Sequence, residues 1–152
     1  MLERLNHLID DVQSLNSKLI VLIGPPGSGK TRLLRDLGKH RRMTVLNVAG
    51  SLGRQLLAIS SVQRHLQAAA FLSDLAADHS KDGLVLFDNI ELLFDQSLRL
   101  DPLDLLKRSG RTRRVVAAWP GDLINNRLTY ATMGNPERQD YAVDGFVPLE
   151  IN

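Results

Sequence analysis

Apolar positions along this chain follow two rhythms. Leu19-Ile20-Val21-Leu22-Ile23 is an unbroken run rich in branched side chains, the pattern of a strand buried on both faces of a parallel sheet. Leu84-Val85-Leu86-Phe87-Asp88 and Val115-Val116-Ala117-Ala118-Trp119 repeat it. Between these runs apolar residues recur every three or four positions. Leu2, Leu5, Leu8, Ile9, Val12 and Leu15 predict an amphipathic amino-terminal helix within residues 1–17, and Leu33, Leu34 and Leu37 a helix over 30–40. Leu66, Ala69, Ala70, Leu72 and Leu75 predict another over 61–79, after a short helical piece at 54–59. Pro102 before Leu103, Leu105 and Leu106 predicts a helix with proline in its first turn. Thr44-Val45-Leu46-Asn47-Val48 and residues 146–151 complete the predicted strands. Gly50-Ser51-Leu52-Gly53 reads as a break, and residues 121–145 are turn-rich with no assigned element. Strands alternating with helices predict one α/β domain over 1–152, a three-layer α/β/α sandwich on a mainly parallel five-stranded sheet.

The first strand and first helix flank Gly24-Pro25-Pro26-Gly27-Ser28-Gly29-Lys30-Thr31, which spells a phosphate-binding loop. Glycines at 24, 27 and 29 let the backbone turn its N–H groups inward without side chains blocking the hollow. The helix that follows, through Arg32, points the positive end of its dipole at the phosphates. In this pattern Lys30 reaches the β- and γ-phosphates and the Thr31 hydroxyl binds Mg²⁺. ATP with Mg²⁺ is the expected ligand. A glycine turn that merely joins strand to helix is the plain structural alternative.

Asp88 closes a buried strand 58 residues after Lys30, where a carboxylate can hold Mg²⁺ through water. Hydrolysis also needs a group to position the attacking water. ATPases of the additional-strand class, AAA+ proteins among them, usually have Glu directly after that Asp; here the position is Asn89, and the nearest carboxylate is Glu91. Glu91 reads either as a base turned back toward the site or as a first-turn acid at a helix start. The same class usually carries a polar sensor on the strand lying between the loop strand and the Asp88 strand. Ala117-Ala118-Trp119 offers none, leaving Asp122 or Asn125 as substitutes. Ligands bind beyond the carboxyl ends of parallel strands, so Arg127, then Arg138, are the candidates for an arginine acting from a neighbouring subunit.

Composition narrows the setting. With 43% apolar and 24% charged residues the chain is that of a soluble globular domain, and no apolar run approaches membrane-spanning length. No secretory signal opens the sequence, and a cytoplasmic home is the default expectation, supported mainly by the nucleotide loop. The absence of cysteine excludes disulfides and thiolate metal sites. Net charge is only +2, but basic residues are unevenly placed. Lys39-His40-Arg41-Arg42 suits the last turn of a helix. Lys107, Arg108, Arg111, Arg113 and Arg114 form either a solvated loop or a DNA-binding patch.

Taken as a whole, the chain resembles the small P-loop protein (BrxF family) of type 3 BREX phage-defence systems. Asp88-Asn89-Ile90-Glu91-Leu92-Leu93-Phe94-Asp95, Asp101-Pro102-Leu103, Val115-Val116-Ala117-Ala118-Trp119, Leu128-Thr129-Tyr130-Ala131 and Pro136-Glu137 carry the similarity. Gly110 before Arg111, and Asn135 and Arg138 on either side of Pro136-Glu137, depart from the family pattern. The resemblance implies a cytoplasmic ATP-binding protein that works beside other BREX proteins in restricting phage DNA. Paired nucleotide motifs, and a chain ending at its fifth strand without a carboxy-terminal helical lid, predict an AAA+-like core that self-assembles into a homo-oligomer. Rival readings are a nucleotide-gated scaffold that scarcely hydrolyses ATP, a DNA-binding accessory subunit, and a small-molecule kinase.

Overall fold

The computed structural model describes residues 1–130 and 139–151. Its centre is β1 (Leu19–Ile23), every residue of which is buried. Parallel partners flank it: β4 (Arg114–Ala118), with Leu19 opposite Val115, and β8 (Val147–Glu150), with Ile20 opposite Val147. Beyond β4 lie β3 (Leu84–Asp88) and the two-residue edge strand β2 (Leu46–Asn47). The order β2-β3-β4-β1-β8 therefore places β4 between the loop strand and the Asp88 strand.

Because successive strand residues face opposite sides, the apolar runs build two cores at once. Ile20, Leu22, Leu86 and Val116 pack with Leu5 and Ile9 of α1 (Leu2–Asp11) and with Leu33, Leu34 and Leu37 of α2 (Lys30–Arg41). Val21, Phe87, Val115 and Ala117 face the other way. They meet Leu52 and Leu56 of α3 (Val48–Leu57), Leu72 of α4 (Ser61–His79) and Leu106 of α5 (Pro102–Thr112). The result is the three-layer α/β/α sandwich. Asp101 caps α5 by accepting from the Asp104 N–H at 3.1 Å, with Pro102 in the first turn. No helix among the described residues is long and apolar enough to cross a membrane.

Three local expectations are corrected. The second strand is only Leu46–Asn47, because Asn47 is a helix cap: its Oδ1 accepts from the Gly50 N–H at 3.0 Å. The glycine-rich break at 50–53 is accordingly the first half of α3. Gly50 lies so close to the Asn47 side chain that a Cβ would stand 3.0 Å from Nδ2. At the amino end Leu15 is exposed, since α1 stops at Asp11 and a single 3₁₀ turn, Val12–Ser14, follows.

The third correction concerns 121–145. An antiparallel sheet, β5 (Gly121–Ile124), β6 (Arg127–Tyr130) and β7 (Gln139–Ala142), occupies much of it. Asn125 and Asn126 take the left-handed conformation (φ 51° and 60°) that a tight two-residue hairpin requires. Fully buried Trp119 ties this sheet to the core. Its indole N–H donates to the Thr129 carbonyl at 2.8 Å, and its ring meets Phe94 and Tyr141 edge-on at 5.1 and 5.6 Å. Gly121 is required there because a Cβ would overlap the Thr129 carbonyl oxygen.

Tyr141, hydrogen-bonded to Gln139 Oε1, supplies a pH test of this packing. Burial first, then the Asp101 carboxylate, holds its phenol well above the ordinary tyrosine range. The unfolded chain would release that proton near the ordinary value of about 10, while the native protein keeps it. Stability therefore falls as pH rises past about 10. Urea midpoints at pH 9 and 11 should drop less for Tyr141→Phe than for the parent; equal drops would contradict this placement.

Candidate functional site

Where β1 ends, the chain turns sharply. Gly27 and Gly29 have φ of 81° and 103°, and a Cβ on either would meet nothing within 4 Å. Their bare faces open the hollow of the loop. Gly24 is glycine for the opposite reason: a Cβ would stand 2.5 Å from both the Ile151 carbonyl and Ser28 Oγ. The Ser28 N–H donates to the Pro25 carbonyl at 3.0 Å, while the buried Ser28 hydroxyl has no partner among the described residues.

Lys30 begins α2 and turns back across the loop. Its Nζ donates to the Gly24 carbonyl at 2.6 Å and to the Trp119 carbonyl at 2.7 Å. Partial burial lowers its pKa from the ordinary lysine value; the carboxylates of Asp122, Asp88 and Glu91, in that order, act against this. Three acids thus converge on one ammonium.

The loop forms one wall of a cleft of about 900 Å³. Thr31, Arg32 and Arg35 line it from the first turns of α2, and Asp88, Asn89 and Glu91 from the end of β3. Asp88, 8% exposed, accepts from the Asn89 N–H at 3.0 Å. Asn89 is left-handed (φ 54°), which swings the chain into a 3₁₀ turn, Ile90–Phe94, and brings Glu91 to the rim. The other wall is the β4–β5 connection, where Ala118 to Asp122 reach the cleft.

Of the residues expected from sequence, the cleft unites Gly24, Pro26 to Arg32, Asp88 and Glu91, while Pro25 supplies a turn carbonyl behind it. Of the two sensor substitutes only Asp122 reaches it; Asn125 lies at the hairpin tip. Arg127 is not in the cleft wall but paired with Asp140 of its own chain at 2.7 Å. Arg138, together with Ala131 and Pro136-Glu137, lies outside the described residues. Two features escaped the sequence reading: the Trp119 carbonyl, a backbone atom that no side-chain pattern reports, and Arg35, one helical turn after Arg32. The Lys107–Arg114 group is partly engaged elsewhere. Arg108 pairs with Asp104 at 2.9 Å, and Arg114, at the opposite rim of the sheet, approaches Asp10 at 3.8 Å.

The residues fit a magnesium nucleotide. Open glycine faces, an unpartnered buried hydroxyl and a mobile-length ammonium match a chain of phosphate oxygens. No cluster of three or more His, Cys, Asp or Glu side chains able to hold a metal occurs among the described residues. One hydroxyl, Thr31, and one carboxylate, Asp88, suit Mg²⁺, which takes few protein ligands and keeps phosphate oxygens and water. Loop, strand order and second acid together give a phosphate-loop site on a mainly parallel five-stranded α/β sheet.

No protein-family profile matches the chain. Among solved structures it is similar to a DNA replication initiation factor at 16% identity and a TM-score of 0.48, covering 99% of this chain and 46% of that one. It is also similar to PCH-2 of C. elegans at 19% identity and a TM-score of 0.42, covering 98% of this chain and 39% of that one. The chain spans less than half the length of either protein.

Proposed function

We propose that this protein is a Mg-ATP-binding P-loop ATPase that assembles with itself and couples nucleotide state to a larger, BREX-type phage-defence complex in the cytoplasm. The single observation carrying the ATPase reading is that Lys30, Thr31, Asp88 and Glu91, from two segments far apart in sequence, line one cleft. Lys30 would neutralise phosphate charge, Thr31 and Asp88 would hold the magnesium, and Glu91 would orient a water at the rim. When bound, Mg²⁺ withdraws charge from the β- and γ-phosphate oxygens. The defence role rests on the sequence resemblance, which runs through the Asp88–Asp95, Asp101–Leu103 and Val115–Trp119 blocks.

Assembly would close the rim at Glu91 and Asp122, both exposed, with residues of a second copy. Arg127 remains the proposed arginine for that role, and it must exchange Asp140 for phosphate to perform it. Mass photometry with and without ATP should show a larger species with nucleotide; monomers in both conditions would end the assembly reading.

A scaffold that binds nucleotide with little turnover is favoured by one specific observation: Trp119, at the end of β4, offers a buried indole and a carbonyl where a polar sensor side chain is usual. Single-turnover hydrolysis separates the two. Glu91→Gln should slow the parent rate by about 10²-fold or more if Glu91 positions the water. An unchanged rate removes Glu91 from that role, and no rate in the parent, alone or with partner proteins, favours the scaffold.

A further inference from the structure

We propose that the outward face of α2 is a binding track for the phosphate backbone of duplex nucleic acid, formed by Arg32, Arg35, Lys39 and Arg42. In sequence, Lys39-His40-Arg41-Arg42 looks like one cluster, but the helix divides it. Arg41 turns toward α1, donating to Asn6 Oδ1 at 3.0 Å and approaching Asp10 at 3.9 Å. Lys39 and Arg42 continue a row begun by Arg32 and Arg35, at intervals of three, four and three residues. At 100° per residue Arg32, Arg35 and Lys39 fall within an arc of about 60°, opposite Leu33, Leu34 and Leu37. Arg42, the left-handed cap that ends the helix, lines the same hollow as Arg35 and Lys39, and the row runs about 15 Å along the axis.

An ordinary solvated face in a protein with 19 basic and 17 acidic residues mixes the two signs. This one does not. All four side chains are exposed, and among the described residues none lies within ion-pair distance of a carboxylate. Asp36, the one acid on the helix, falls outside the arc. The far end of the row enters a shallow hollow of about 460 Å³, which Arg35, Lys39 and Arg42 share with Gly38, Met43 and Thr44. There Lys81 Nζ donates to the carbonyls of Arg41 and Arg42 at 3.1 and 2.9 Å. That contact covers the negative end of the helix dipole, which would otherwise repel an anion.

The geometry suits a duplex. Phosphates of one strand recur every 3.4 Å along the axis, so about four of them span a 15 Å row of four cations. The row carries no aromatic side chain on which unpaired bases could stack. A lipid surface would also require apolar side chains beside the cations. The leucines of α2 face the core, and the exposed Leu57, Val62 and Leu66 belong to the helices on the opposite side of the sheet. Backbone-only contact implies binding that is independent of base sequence.

Fluorescence anisotropy with a labelled duplex of about 20 base pairs tests this. Four neutralised phosphates predict a slope of log K against log salt near −3.6. Lys39→Gln with Arg42→Gln, neither of which lines the nucleotide cleft, should flatten the slope by about 2 and weaken binding at least tenfold at about 0.1 M salt. ATP binding should persist in that variant, so the outcome is read separately from the nucleotide site. Arg108→Gln with Arg111→Gln should leave duplex affinity within about twofold. The proposal is overturned by absence of duplex binding at about 50 mM salt, by a parent slope flatter than about −2, or by loss that follows Arg108 and Arg111 instead. Binding to phosphatidylserine vesicles without duplex binding would overturn it as well.

Discussion

Lys30→Ala should reduce affinity for Mg-ATP on the order of 100-fold while leaving the protein folded. The ammonium spans the loop between the Gly24 and Trp119 carbonyls, in the same cleft as Asp88 and Thr31. A charged hydrogen bond contributes about 1.5–3 kcal/mol, and Lys30 is placed to make more than one to phosphate oxygens. Without phosphate the same side chain bonds two carbonyls that water in an open cleft can satisfy instead. Burial already disfavours its charged form, as its lowered pKa records. The melting temperature should therefore move by only a few degrees. Calorimetric titration read beside thermal unfolding checks both halves. A variant that binds like the parent would remove Lys30 from phosphate recognition; one that unfolds would show the lysine to be structural.

The largest effect on stability should come from Trp119→Ala. Truncating a large buried aromatic costs about 3–5 kcal/mol through lost transfer and an unfilled cavity. Here the edge-on contacts with Phe94 and Tyr141 are lost too, and the Thr129 carbonyl loses its donor. Domains of this size are stable by about 5–15 kcal/mol, so this variant stands close to unfolding, with a melting temperature lowered by about 10 °C or more. Trp119→Phe keeps most of the packing and loses chiefly the indole N–H, at a cost of about 1–3 kcal/mol. Thermal and urea unfolding of the pair would show it. Equal, small losses in both would mean that the β5–β6–β7 sheet does not depend on this side chain.

Trp119 also marks the limit of what the sequence discloses. Its strand was legible because a run of four or five consecutive apolar residues needs a two-sided core, and the same held for β1 and β3. The loop was legible because its glycines answer to local backbone geometry, and Asp88 because it ends a buried run. Elements whose cause is tertiary were not. Gly50 and Gly53 read as breakers by propensity, yet one seats the Asn47 cap and the other faces Leu92, so α3 runs through both. The hairpin of β5 and β6 had a readable signal. Leu123 and Leu128 oppose each other across Asn125-Asn126, a less common turn pair than Asn-Gly. Within the cleft, the sequence offers Asp122 and Asn125 alike as sensor substitutes, and it is the hairpin that sends Asp122 into the wall and Asn125 to the tip. The row on α2 is not visible among sequence neighbours, because residues three and four apart are the ones that share a helix face.

The most direct test of the nucleotide site is calorimetry of the parent protein with ATP, in the presence and absence of magnesium. Saturable heat at micromolar to low millimolar ATP, strengthened by Mg²⁺ and weakened when Thr31 becomes alanine, is the result this structure predicts. No heat at millimolar Mg-ATP would contradict it, and the loop would then be no more than a turn between strand and helix.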